Sequence, residues 1–189
     1  MPTKVQLLRT LPNICTFCNA ICGVMALLIA MSYRSHHGIS VACGLIVLGG
    51  FFDAIDGRLA RRLQVSSQIG KELDSFADVI SFVIAPVCMF LSMHSVGNHG
   101  HFHIAELLVA TFYICCGVYR LARYNAGEYT TYFQGLPTTA SGCLMSVYLF
   151  ISNINPPFWS GQRWYTMVSY GFITALGFAM VSQVKIKRI

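Results

Sequence analysis

The stretch FFDAIDGRLARRLQVSSQIGKELDSFADVISF, residues 51–82, contains every aspartate of the chain: Asp53, Asp56, Asp74 and Asp78. It joins two apolar runs and so brings charge to the edge of otherwise hydrophobic helices. On a helix Asp53, Asp56 and Ala60 share one face at i, i+3 and i+7. Gly70, Asp74 and Asp78 share another at i, i+4 and i+8. The polar residues Gln64–Gln68 suit a turn, so the two helices are expected to return antiparallel with their carboxylates facing. Gly57, Ala60 and Gly70 keep bulk low beside the acids, which lets a large ligand approach the backbone closely.

Outward from this stretch the chain is apolar. Of its 189 residues 55% are hydrophobic and 11% charged, against about 25% charged in an ordinary soluble domain. That excludes a disordered or fibrous chain and most soluble folds. Six apolar segments run approximately over 14–33, 38–52, 75–93, 104–121, 136–154 and 164–184. Each approaches the roughly 20 residues a membrane span needs, and lipid-exposed backbone must bond within its own segment. The expected fold is therefore an all-α integral membrane protein of six transmembrane helices, one domain over residues 1–189. The first run, 14–33, is too long for the apolar part of a signal peptide and no clear A-x-A site follows, so it reads as an uncleaved span.

Charge gives the orientation. Of the 13 Lys and Arg residues, all but Arg34 and Arg163 fall at the end of the spans that holds the N-terminus. The positive-inside rule then puts both termini, and every acidic residue except Glu106, in the cytoplasm. The formal net charge of +6 comes from short clusters at span ends and does not point to nucleic acid.

Four carboxylates cannot share a partly buried site while all are ionised and unpaired. Either protons or cations must neutralise them; two divalent cations would balance the four charges, and an all-oxygen shell suits Mg²⁺ or Mn²⁺. A pair of metals about 4 Å apart is a recurrent clamp for phosphoryl displacement. Arg58, Arg61, Arg62 and Lys71 can hold phosphate oxygens, or serve as topology anchors. Membrane carboxylates also line ion pathways, so a divalent-cation transporter stands as the alternative. The fifth and sixth runs contain no acid, which weighs against a path through the membrane.

Asp53-x-x-Asp56-Gly57-x-x-Ala60-Arg61, followed by Gly70-x-x-x-Asp74-x-x-x-Asp78, resembles the signature of the CDP-alcohol phosphatidyltransferases at every specified position. The resemblance implies a homodimer in the cell membrane, with a cytoplasm-facing site that holds two divalent cations. There a CDP-linked lipid gives its phosphatidyl group to an alcohol and CMP leaves. It also implies that Asp53, Asp56, Asp74 and Asp78 bind the metals and that Asp78 is the general base. Gly57, Ala60, Arg61 and Gly70 would line the CDP site. LPNICTFCN (11–19) resembles the family's first-helix start, with Asn13 and Thr16 toward the nucleotide or its phosphates. SSQIGKELDSFADVISFVIAP (66–86), YRLARYN (119–125) and FQGLP (133–137) resemble the phosphatidylserine synthase branch, which implies CDP-diacylglycerol and L-serine as substrates. Sister branches using glycerol 3-phosphate or inositol phosphate are the alternative. Arg120 and Arg123 can clamp the serine carboxylate bidentately, or act as positive-inside anchors.

Two features carry less. Cys15, Cys18 and Cys22 share a helix face, but a structural zinc site needs four ligands, so a small-residue packing face is expected. His94, His99, His101 and His103 are expected in a solvated outer loop.

Overall fold

The computed structural model describes residues 4–32, 36–63, 68–97, 103–127, 133–154, 163–183 and 185–186. Helix α1 is Lys4–Ser32 and α2 is His36–Leu63. The third span is continuous but has three parts: α3 (Gln68–Asp78), a π-helical turn (Val79–Ile84) and α4 (Ala85–Gly97). Helices α5 (Ile104–Asn125), α6 (Thr138–Ile154) and α7 (Arg163–Val181) complete the bundle. Five stretches are long and apolar enough to cross a bilayer: 13–32, 37–59, 68–94, 104–125 and 164–181. Helix α6 is a shorter apolar helix of 17 residues. These are the six expected segments. The second and third are longer than hydropathy alone predicts, because both run on as helix through their polar ends and carry the aspartates there.

The packing is that of a membrane bundle. On α1 the exposed residues Ile14, Phe17, Ile21 and Leu28 form an apolar outer stripe, while Thr16, Asn19, Cys22, Ala26 and Ala30 face inward. The burial of polar side chains inside a sheath of apolar ones reflects a solvent that competes for no hydrogen bonds. Cys22 is buried and all eight cysteines are free thiols, in keeping with a packing face.

Two sets of cross-links sit at opposite ends of the helices. At one end Thr16 of α1 bonds Asp56 of α2, Thr139 of α6 bonds Asp53 of α2, and Ser75 of α3 bonds Asn125 of α5. A short antiparallel pairing of Phe133–Gln134 with Lys185–Ile186 ties the entry to α6 to the exit from α7. At the other end Ser92 Oγ donates to the Ala30 carbonyl (2.6 Å), and Asn153 Nδ2 donates to Ser40 Oγ (2.9 Å). Successive spans therefore alternate in direction, as the aspartate spacing requires.

That second end holds an acid set apart from the four aspartates. Glu106 of α5 is fully buried. Its Oε1 lies 3.1 Å from His94 Nδ1 and accepts from the Tyr170 hydroxyl at 3.3 Å, and its Oε2 accepts the His103 backbone N–H at 3.2 Å. The expected solvated histidine loop is thus corrected at His94, which lies within α4 and is buried against Phe90. A carboxylate placed in the bundle must be hydrogen-bonded, and His94 and Tyr170 are side chains within reach. His103 is exposed just before α5. His99 and His101 lie outside the described residues.

Replacing His94 by Phe keeps the ring volume but removes one partner of a buried carboxylate. Stability in detergent should fall by about 1–3 kcal/mol, read from the denaturation midpoint. An unchanged midpoint would mean that Glu106 does not rely on His94.

Candidate active site between α2 and α3

The acid-bearing ends of α2 and α3 face each other across the mouth of the bundle. One oxygen each from Asp53, Asp56 and Asp74 lies within 4.8 Å of the other two. Asp56 and Asp78 are buried, and Asp53 and Asp74 half-buried. Unit charges at that spacing repel by about 3 kcal/mol per pair at an effective dielectric of about 20. A hydrogen bond contributes about 1 kcal/mol net, so the neighbouring hydroxyls cannot hold three anions together. A cation can.

The surrounding polar groups are arranged around that requirement. Thr16 Oγ1 donates to Asp56 Oδ2 at 2.9 Å, and Thr139 Oγ1 donates to Asp53 Oδ2 at 2.8 Å. Asp74 Oδ1 is buried and has no hydrogen-bond partner among the described residues. Such an oxygen, beside two more carboxylates and with no nitrogen or sulfur donor in the group, fits a hard oxygen-seeking cation such as Mg²⁺ or Mn²⁺.

Asp78 stands apart from that trio, one helical turn deeper on α3. Asn19 Nδ2 of α1 donates to its Oδ1 at 3.4 Å. Directly after Asp78 the helix widens into the π turn, where the Ala85 N–H reaches back to the Ile80 carbonyl. Such turns leave carbonyls seeking partners and often mark functional sites. Here Ser81 Oγ donates to the Asn19 carbonyl (3.0 Å), and the Tyr113 hydroxyl donates to the Phe82 carbonyl (3.2 Å). The turn is also where neighbouring backbones come closest. A Cβ on Gly142 of α6 would sit 2.6 Å from Phe82 Cα, and one on Gly23 of α1 would sit 2.7 Å from Ser81 Cα.

Arg120 of α5 is half-buried and donates to Thr138 Oγ1 at the start of α6. Its charge acts on both Asp53 and Asp78, so it belongs to the site. Arg123, one turn on, lies with its guanidinium 5.8 Å from the Tyr119 ring centre. Gly57 and Gly70 are half-buried beside the acids, and Asn13 is half-buried one turn before Thr16. Ala60 and Arg61 follow on α2, but their side chains lie outside the described residues.

A family model for CDP-alcohol phosphatidyltransferase matches residues 9–181. The chain belongs to the CDP-alcohol phosphatidyltransferase family. Among curated relatives, a Helicobacter pylori CDP-diacylglycerol–serine O-phosphatidyltransferase is 32% identical over 92% of this chain and 70% of its own length. The Bacillus subtilis protein of the same name is 34% identical over 76% of this chain and 77% of its own. A Mycobacterium tuberculosis relative, also so named, is 30% identical over 96% of this chain and 62% of its own.

The structure brings Asp53, Asp56 and Asp74 together, with Asp78 one turn deeper on the same face as Asp74, and brings Thr16 to Asp56 from α1. Sequence reasoning missed Asn19 and Thr139. A signal for Asn19 existed: Asn13, Thr16 and Asn19 recur every three residues in an apolar helix, a polar stripe with nothing to serve except a partner across the interface. Thr139 gave none, because its tie to Asp53 spans 86 residues.

If the cluster binds a cation, Mg²⁺ or Mn²⁺ should raise the melting midpoint of the parent protein in detergent. The gain is about 2.7 kcal/mol when the ion is at one hundred times its dissociation constant. Asp74→Asn should lose most of that shift. A full cation-dependent shift in the variant would place the ion elsewhere.

Proposed function

We propose that the chain transfers the phosphatidyl group of CDP-diacylglycerol to the hydroxyl of L-serine, giving phosphatidylserine and CMP. The observation that carries this reading is the acid trio of α2 and α3 with Asp78 one turn deeper, in a chain whose curated relatives bear that activity by name.

In this reading Asp53, Asp56, Asp74 and Asp78 hold two divalent cations, Mg²⁺ or Mn²⁺. When bound, these supply positive charge against the donor pyrophosphate and the departing CMP. The chain's own residues do the rest. Asp78 accepts the proton of the serine hydroxyl, which is a weak nucleophile until that proton is drawn away. The serine oxygen forms a bond to the lipid-side phosphorus as the bond from that phosphorus to the bridging oxygen breaks, and CMP leaves with that oxygen. Thr16 and Thr139 fix the rotamers of Asp56 and Asp53, so the cradle is set before substrate arrives. Gly57, Ala60, Arg61 and Gly70 line the nucleotide side, with Asn13 at its edge.

Arg120 binds the serine carboxylate. Its bond to Thr138 and its electrostatic influence on Asp78 support a carboxylate anchor on the same side of the site as the base. Arg123 supports it one turn away. The distribution of Lys and Arg supports a cell-membrane protein with the site open to the cytoplasm, and family membership supports a homodimer as the working unit.

The experiment is CMP release from CDP-diacylglycerol with a panel of alcohols. Serine should be the effective acceptor. Ethanolamine, which lacks the carboxylate, should be very poor, and glycerol 3-phosphate and inositol phosphate inactive. In Arg120→Lys a point ammonium cannot reproduce the two-pronged bond. The loss should be about 1.5–3 kcal/mol, or roughly tenfold or more in apparent serine affinity, with donor affinity little changed. Preference for another acceptor would move the chain to a sister branch. An unaltered serine dependence in Arg120→Lys would remove that residue from the acceptor site.

A further inference from the structure

Asn19 is completely buried, and neither the cation cradle nor the acceptor anchor uses it. Its side-chain Nδ2 reaches Asp78 Oδ1 at 3.4 Å, while its backbone carbonyl accepts from Ser81 Oγ at 3.0 Å. One residue of α1 therefore grips the third span on both sides of the point where α-helix becomes π-helix. Its own Oδ1 is buried without a hydrogen-bond partner among the described residues. A Cβ on Gly49 of α2 would lie 2.9 Å from that oxygen, so α2 is bare of side chain where the amide fits. Packing alone would be served better by leucine or alanine, which the rest of α1 uses freely and which leave no polar atom unpaired in an apolar interior.

We infer that Asn19 is a positioning residue for Asp78: by holding one carboxylate oxygen it presents the other to the acceptor hydroxyl. The terminal torsion of an aspartate is broad. A base must come within about 2.6–3.2 Å of the proton it takes, and modest misplacement is costly in rate. A donor fixed on a separate, rigid helix removes that freedom. The inference rests on the reading of Asp78 as the base. The bond from the Ser81 hydroxyl uses only the backbone of Asn19, so a side-chain substitution at Asn19 tests the amide without releasing the π turn.

The test compares the parent protein with Asn19→Leu, Asn19→Ala and, as a packing control, Ser92→Ala. Ser92 bonds the Ala30 carbonyl and links the same first and third spans at the end away from the four aspartates. Rates are normalised to folded protein. Both Asn19 variants should lose at least tenfold in kcat for CMP release, with KM for CDP-diacylglycerol within about twofold of parent. Ser92→Ala should lower the melting midpoint and leave kcat within about twofold. A double-mutant cycle of Asn19→Ala with Asp78→Ala, read by melting midpoint, should be non-additive. Unchanged kcat in a folded Asn19 variant, or an additive cycle, overturns the inference. A parent that releases no CMP with any alcohol overturns the proposed reaction itself. The two failures are told apart by the activity of the parent.

Discussion

Mutual repulsion among carboxylates held at the mouth of an apolar bundle is the constraint on which the rest of this structure depends. Asp53, Asp56 and Asp74 sit closer than three anions tolerate without a counter-charge. The neighbouring hydroxyls of Thr16 and Thr139 orient two of them but do not neutralise them. Helices α2 and α3 can face each other in this way only if protons or cations neutralise the group. The same instability that makes the cluster a poor structural element suits it to hold a cation, as proposed above.

The bundle divides its polar groups between two ends. At the far end Glu106 is paired and hydrogen-bonded through His94, Tyr170 and the chain before α5. That is the pattern of a buried charge used for specificity of packing. At the near end Asp74 retains a buried oxygen without a protein partner, and Arg120 keeps a buried Nε without one among the described residues. Between the two ends the π turn after Asp78 sits against close backbone approaches from α1 and α6. It couples the depth of Asp78 to the packing of the whole bundle.

Much of this was legible in residues 51–82. The i, i+3 and i+4 spacings put the aspartates on facing helix surfaces because helical periodicity is local, and the six spans followed from hydropathy for the same reason. The extent of α2 and α3 was not legible, since their polar ends lack the apolar signal while remaining good helix formers. Contacts between distant positions were hidden as well. Thr139 meets Asp53 and Asn19 meets Asp78 only once helix directions and rotations are set. The π turn Val79–Ile84 has no signature in an apolar run, and a buried His94 differs from a loop histidine only through its partner Glu106.

The most direct test of the central claim is anomalous X-ray scattering from crystals of the protein grown with Mn²⁺. The account predicts two manganese peaks about 4 Å apart, enclosed by Asp53, Asp56, Asp74 and Asp78. Manganese absent from the cluster, or bound only by other residues, would contradict it.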